Sequence, residues 1–350
     1  MQNPFTTTFS KIPPLSYIKR DEISKILENF SYKEPLESVY KITGARGSGK
    51  TIILAKIEEE LSKDKNWYVC RLSINRDMLN QIFSYLMNKR VIKNKNKITG
   101  INASGSILEN GDGLDITRES AAKLDLGAEL DNCFQELKNT ETKILIGIDD
   151  VSRTTHMIEF ASEFSKWLRE GYPVYLVCTG LYENIENLSN VKNLTFFRRA
   201  TTIQSKTLNY VRMVETYKKA LNIDCDVAKY LATLTKGYAY AFQKLGFLYF
   251  ESKTKNMDDI IAELKEELYS YSYEKIWEEL TKEDRFLVSL LKKDNVEYER
   301  KSLINEMGEK HRNYNVYRDR LMKRGLINNK QGTISLALPF FAEYMNDYCL

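Results

Sequence analysis

Histidine is almost missing from this chain. Only His156 and His311 occur in 350 residues, and neither has a Cys or Asp partner at ligand spacing, which argues against a metal centre. Cysteine is scarce and scattered: Cys70, Cys133, Cys178, Cys225 and Cys349 are odd in number and form no C-x-x-C pair. They predict reduced, mostly buried thiols in a cytoplasmic protein, not a disulfide framework or a zinc site. No apolar run approaches the roughly 20 residues that span a bilayer. The opening Met-Gln-Asn-Pro-Phe-Thr-Thr-Thr-Phe has neither the basic region nor the apolar core of a signal peptide, so no membrane partner is expected. Internal repeats and low-complexity tracts are also lacking. The formal charge of +4 is too small to imply a nucleic-acid partner by itself. What is left is ordinary globular composition, 43% hydrophobic and 29% charged, in a chain long enough for two or three domains.

Against that background one stretch stands out. Residues 44 to 51 read Gly-Ala-Arg-Gly-Ser-Gly-Lys-Thr, after a strand-like run (Val39 to Thr43) and before an amphipathic helix opening at Ile52. Strand, loop and helix in that order seat a phosphate on a helix N-terminus. Gly44, Gly47 and Gly49 let the backbone curl until its N–H groups converge on an anion, with Ala45 and Ser48 completing the loop. Arg46 occupies a variable position and reads as solvated or as a supporting contact. Lys50 is placed to reach the β- and γ-phosphates, and the Thr51 hydroxyl to face Mg²⁺. The pattern is a complete P-loop, and the expected ligands are ATP and Mg²⁺.

Further strand-like runs follow at Trp67 to Leu72, Lys143 to Ile148, Pro173 to Thr179 and Leu194 to Phe197. Helical spacing fits Asp77 to Asn88, Arg118 to Leu137 and Thr155 to Glu170. The alternation predicts an α/β unit with a mostly parallel sheet and helices on both faces. A stretch at about 89–117, rich in Lys, Asn, Gly and Ser, interrupts the rhythm as an inserted hairpin or loop; it is either solvated or a partner contact. The run Lys143 to Ile148 ends in Asp149 and Asp150. On a buried strand beside the P-loop strand, Asp149 would hold Mg²⁺ and Asp150 would polarise the attacking water, although a helix N-cap explains two such acids in isolation. Thr179, at the end of the next strand, is the candidate for orienting that water and sensing the γ-phosphate; a plain strand-end turn is the alternative. Arg198 and Arg199, after the fifth run, are either cations offered to a phosphate on a neighbouring subunit or structural ion pairs.

After Arg199 the strands stop. Helices are expected over Ser205 to Leu221, Val227 to Lys236, Tyr240 to Glu251 and Met257 to Leu280. Thr281 then caps a helix with Phe286, Leu287, Leu290 and Leu291 on its apolar face. Two more helices fit Lys301 to Met307 and Asn313 to Arg324, and a hairpin follows. Three helices and a wing make a winged helix-turn-helix. Seven Lys and Arg lie between Lys310 and Lys330 against a single acid, Asp319. Such a patch is the footprint of phosphate binding: Asn315 and Arg318 would reach base edges, and Arg312, Lys323 and Lys330 the backbone of duplex DNA. Asp319 opposes that reading, and a protein-docking winged helix is the alternative.

The order of lead-in, P-loop, Asp-Asp strand, Thr-ended strand, helical lid and terminal winged helix resembles the AAA+ ATPases. It is most similar to the initiator and origin-recognition group and to the archaeal-type ATPases near the STAND clade. The resemblance implies three parts: a P-loop nucleotide-binding domain over residues 1–204, a helical lid over 205–280 and a winged helix over 281–350. It implies an ATPase that can form homo-oligomers, with Tyr17 and Arg20 bordering the adenine. Two departures are visible. Asp150 stands where the family usually has Glu, which implies slow hydrolysis. Tyr240 stands where initiators carry a sensor Arg, leaving Lys236 and Lys244 as the lid's candidate cations.

Overall fold

The computed structural model describes residues 2–8, 12, 15–91, 126–192 and 194–350. Most of the insertion expected at about 89–117, and the first part of the helix expected from Arg118, lie outside the described residues.

The apolar runs and amphipathic spacings become an α/β layer structure. In chain order it comprises α1 (Asp21–Ser31), β1 (Val39–Thr43), α2 (Lys50–Leu61), β2 (Trp67–Leu72), α3 (Met78–Asn88), α4 (Leu126–Leu137) and β3 (Lys143–Ile148). Then come α5 (Thr155–Glu170), β4 (Val174–Gly180), α6 (Tyr182–Ser189), α7 (Thr195–Arg199) and β5 (Thr201–Gln204). The strands are paired in parallel in the order β2-β3-β4-β1-β5. Both faces are covered, which is why β1, β3 and β4 read as nearly continuous apolar runs. On one face α1 and α2 bury Ile26, Phe30, Ile53 and Ile57. On the other, α3, α4 and α5 bury Ile82, Phe134, Phe160 and Trp167.

Two expectations are corrected here. The Asp-Asp strand β3 is not beside the P-loop strand. β4 lies between them, with Ile42 opposite Thr179 and Cys178 opposite Ile148. The run Leu194 to Phe197 is not a strand. Leu194 and Phe197 turn inward, Phe196 packs on Phe164 with ring centroids 5.6 Å apart, and the segment forms the short helix α7. The fifth strand is Thr201–Gln204, where Ile203 alone is buried. An edge strand with one inward apolar side chain leaves no period to read.

The second half is helical at first: α8 (Tyr210–Leu221), α9 (Cys225–Leu234), α10 (Ala239–Glu251), α11 (Met257–Leu268) and α12 (Glu274–Glu279). A π-helical turn, Tyr269–Tyr273, interrupts what the sequence presents as one helix to Leu280. The last part contains α13 (Lys282–Ser289), β6 (Tyr298–Glu299), α14 (Arg300–Met307), α15 (Tyr314–Lys323), β7 (Ile327–Lys330), β8 (Thr333–Leu336) and α16 (Phe341–Tyr348). Three helices with the antiparallel sheet β6-β8-β7 make the winged helix-turn-helix. The final helix α16 was not anticipated, although Phe341, Tyr344 and Met345 have helical spacing and are buried.

Lid and winged helix share one apolar core, in which Tyr217, Phe242 and Tyr273 are continuous with Leu287, Leu321 and Phe341. A partly buried ion pair between Lys236 and Asp294, 2.8 Å apart, ties the two parts further. The N-terminal segment belongs to the same body. Phe5 sits among lid side chains, with ring centroids 5.6 Å from Tyr217 and 5.8 Å from Phe242. No helix among the described residues is long and apolar enough to cross a membrane.

Candidate nucleotide site

The loop between β1 and α2 turns through left-handed conformations that only glycine adopts freely, with φ +75° at Gly47 and φ +90° at Gly49, the N-cap of α2. The N–H groups of Gly47, Gly49, Lys50 and Thr51 have no acceptor among the described residues. They form a nest of donors at a helix N-terminus, where the macrodipole adds positive potential. The Lys50 amine folds back onto the loop and donates to the carbonyls of Gly44 (3.1 Å) and Ala45 (2.9 Å). Burial lowers its pKa to about 8, and the nearby Asp150 and Asp149 act in the opposite sense. An anion in the nest would relieve that desolvation by pairing with the amine.

The acids complete the site from the neighbouring strands. The Thr51 hydroxyl donates to the Asp149 carboxylate, 2.9 and 3.1 Å from its two oxygens. The buried Thr179 hydroxyl also donates to Asp149, and it accepts the Asp150 N–H at 3.0 Å. Because β4 lies between β1 and β3, Thr179 reaches both acids. Asp150 is exposed and held at φ +53°, clamped by that bond and by Val151 N–H on the Thr179 carbonyl at 2.8 Å. A hydroxyl and a carboxylate in contact beside a phosphate nest are the hard oxygen donors that Mg²⁺ takes, so the residues present fit that ion.

Residues 19–160 match the KAP family P-loop domain. This segment is a P-loop NTPase domain. Residues 270–345 match a domain of unknown function, DUF8462. Among solved structures, the Walker-type ATPase PABY2304 of Pyrococcus abyssi is similar at 16% identity and a TM-score of 0.61, over 97% of this chain and all of that one. Cdc6p of Pyrobaculum aerophilum aligns at 13% identity and a TM-score of 0.48, over 97% and 96% of the two chains. The ORC2 protein of Aeropyrum pernix aligns at 13% identity and 0.46, over 94% and 92%. At these identities the likeness to PABY2304 shows the fold alone. No curated protein matches by sequence.

Around the NTPase loop the expected residues divide. Tyr17 lines the cleft between P-loop and lid, together with Thr6, Lys50, Tyr240 and Tyr271. Arg20 also borders it, but its guanidinium is spent behind the loop, donating to the carbonyls of Ser48 (2.7 Å) and Lys206 (2.9 Å) and to Ser205 Oγ (3.1 Å). It braces the P-loop. Arg46 makes a supporting contact, pairing with Glu279 of α12 at 2.7 Å while staying partly exposed. Tyr240 stacks on Tyr271 with centroids 4.2 Å apart. Lys236 and Lys244 are committed to Asp294 and Glu267, and neither lines the cleft. Arg198 and Arg199 are exposed on α7, which leads into the edge strand β5, and no side-chain partner for them occurs among the described residues. Sequence reasoning missed Lys41, Ser205 and Tyr238. Lys41 is buried on β1 and donates to the Phe197 carbonyl at 2.6 Å, fixing α7. A lysine inside a strand gives no hint of a buried partner distant in sequence.

The winged-helix patch is largely consumed internally. Arg318 is paired with Asp319, Arg320 with Asp284, and Lys310 lies over the Phe286 ring. Lys323 donates to Tyr182 of the NTPase domain at 3.2 Å, and the buried Arg324 pairs with Glu183 of the same helix, α6. Arg318 is thus paired along its own helix, while the end of α15, with Lys323 and Arg324, is docked on the NTPase domain. Arg312, Asn315 and Lys330 are exposed, and the cations of Arg312 and Lys330 have no side-chain partner among the described residues.

Proposed function

We propose that this protein is an ATP-dependent switch. It binds ATP with Mg²⁺ at the P-loop, hydrolyses it slowly, and uses nucleotide state to control whether the winged helix engages duplex DNA. The observation that carries the reading is the meeting, at one end of the sheet, of the open N–H nest with the Thr51–Asp149–Thr179–Asp150 array. Thr51 and Asp149 would hold Mg²⁺, which neutralises phosphate charge when bound. Asp150 holds the attacking water, and Thr179 positions both carboxylates. Arg198 and Arg199 suit presentation to the phosphates of a neighbouring copy, and Tyr17 suits the base. The chemistry belongs to a reduced cytoplasmic compartment.

For the DNA partner, Arg312, Asn315 and Lys330 form the accessible surface; Lys323 joins it when α15 leaves Tyr182, and Arg318 when its side chain turns from the neighbouring Asp319. A second reading, in which the winged helix docks a protein, is favoured by a specific observation: five of the seven cations between Lys310 and Lys330 are already engaged within the chain. Fluorescence anisotropy with a labelled duplex, with and without Mg·ATP and across a salt series, decides between them. The DNA reading requires nucleotide-dependent affinity that falls steeply with salt. Weak binding that ignores nucleotide favours the protein partner.

A further inference from the structure

A trans peptide points its C=O and its N–H in opposite directions. Fixing a loop carbonyl on the outer face of the P-loop therefore aims the next residue's N–H inward. Three successive P-loop carbonyls are held; the N–H groups that follow the first and third, those of Gly47 and Gly49, are open among the described residues, whereas the Ser48 N–H that follows the second donates to the Ala45 carbonyl at 3.2 Å. Arg46 C=O accepts the Tyr238 hydroxyl at 2.5 Å, and Gly47 C=O accepts Tyr240 N–H at 3.1 Å. Ser48 C=O accepts Arg20 at 2.7 Å and Ser205 Oγ at 3.0 Å. Two of the three carbonyls, those of Arg46 and Gly47, are held from the start of α10.

Tyr238 is the more demanding of those two restraints. It is buried, and burial holds its phenol well above the usual range, so it stays a neutral donor. Its single proton goes to Arg46, so the 2.8 Å contact with Ser272 Oγ has Ser272 donating. A Cβ on Gly47 would stand 2.2 Å from the Tyr238 oxygen, so the loop and the tyrosine fit only with glycine there. Ser272 lies on the π-helical turn, and the next residue, Tyr273, donates to the Pro339 carbonyl in the winged helix.

We propose that Tyr238 is a positioning residue of the phosphate site: its hydroxyl, oriented by Ser272, aims the Gly47 N–H at the bound phosphate. Lid seating thereby sets nucleotide affinity, and one turn of helix links that seating to the winged helix. The inference rests on the reading that the P-loop binds nucleotide.

The test is calorimetric titration of the full chain with Mg²⁺ and a non-hydrolysable ATP analogue, comparing wild type, Lys50→Ala, Tyr238→Phe and Ser272→Ala. The loss of one hydrogen bond predicts a Kd about 3- to 10-fold higher for Tyr238→Phe at full stoichiometry, and a smaller rise for Ser272→Ala, which keeps the ring. A merely structural role would instead lower the stoichiometry and leave Kd unchanged. That result, or an unchanged Kd in both variants beside a binding wild type and a silent Lys50→Ala, overturns the proposal alone. A silent wild type overturns the nucleotide reading and this inference with it.

Discussion

At the scale of single residues, the candidate chemistry rests on two acids in different surroundings. Asp149 accepts hydroxyls from Thr51 and Thr179, whereas Asp150 is exposed and fixed only through its backbone. Asp150→Asn should keep ATP affinity within about threefold while phosphate release falls by about 100-fold or more; steady-state release beside calorimetry checks both. Lys50 gives a pH prediction. Its folded pKa of about 8 lies below the ordinary 10.5, so its contribution to stability is complete above about 10.5 and is lost as pH falls through about 8. A bound polyphosphate raises that pKa again. At pH 8.5, binding should therefore take up roughly half a proton or more, seen as a dependence of the calorimetric heat on buffer ionisation enthalpy; the dependence should fade at pH 6.5. No buffer dependence at pH 8.5 would mean that the amine stays on the Gly44 and Ala45 carbonyls.

At the scale of elements, α10 joins the N-terminal segment to the nucleotide cleft. A Cβ on Gly246 would lie 2.5 Å from the Phe5 ring, which is itself 2% exposed. Two effects oppose each other in Gly246→Ala. Helix propensity favours alanine by about 1 kcal/mol, while overpacking a rigid ring costs about 1–3 kcal/mol. The second should win, giving net destabilisation of about 1 kcal/mol in denaturant unfolding. In a Phe5→Ala background the clash is gone and the same substitution should stabilise. Such a change of sign is a coupling that a double-mutant cycle measures directly. If Gly246→Ala is neutral in both backgrounds, Phe5 is not a plug. The π-helical turn is a second element whose role comes from placement: it interrupts a helix where Ser272 and Tyr273 must face the P-loop side and the winged helix in succession.

At the scale of the whole molecule, lid and winged helix are one core set against the NTPase domain. On the winged-helix side the contact is made by Gln204 on the Met322 carbonyl (2.7 Å), by Lys323 on Tyr182 and by Arg324 on Glu183. A shift of the lid therefore carries α15 with it. Weakening the docking from the NTPase side, with Gln204→Ala and Glu183→Ala together, should raise duplex affinity in the absence of nucleotide and blunt its response to Mg·ATP. Anisotropy at low salt reads both effects, and an unaltered response would sink nucleotide control of the winged helix.

The sequence by itself determined the P-loop, the strand ending in Asp149–Asp150, the alternation of strands and helices and the three-helix plan before the wing. Each is written in local spacing: glycines at a turn, apolar runs with period, caps such as Thr281. The tertiary structure decided what depends on partners distant in sequence. It placed β4 between β1 and β3, so that Thr179 holds both acids. It folded Leu194 to Phe197 as a helix because Phe164 offered a surface. It spent Arg318, Lys323 and Arg20 on partners within the chain, and it set Tyr238 against the P-loop. Charge and aromatic content can be counted along a chain, but which of those groups remain free depends on which surfaces meet when the chain is packed.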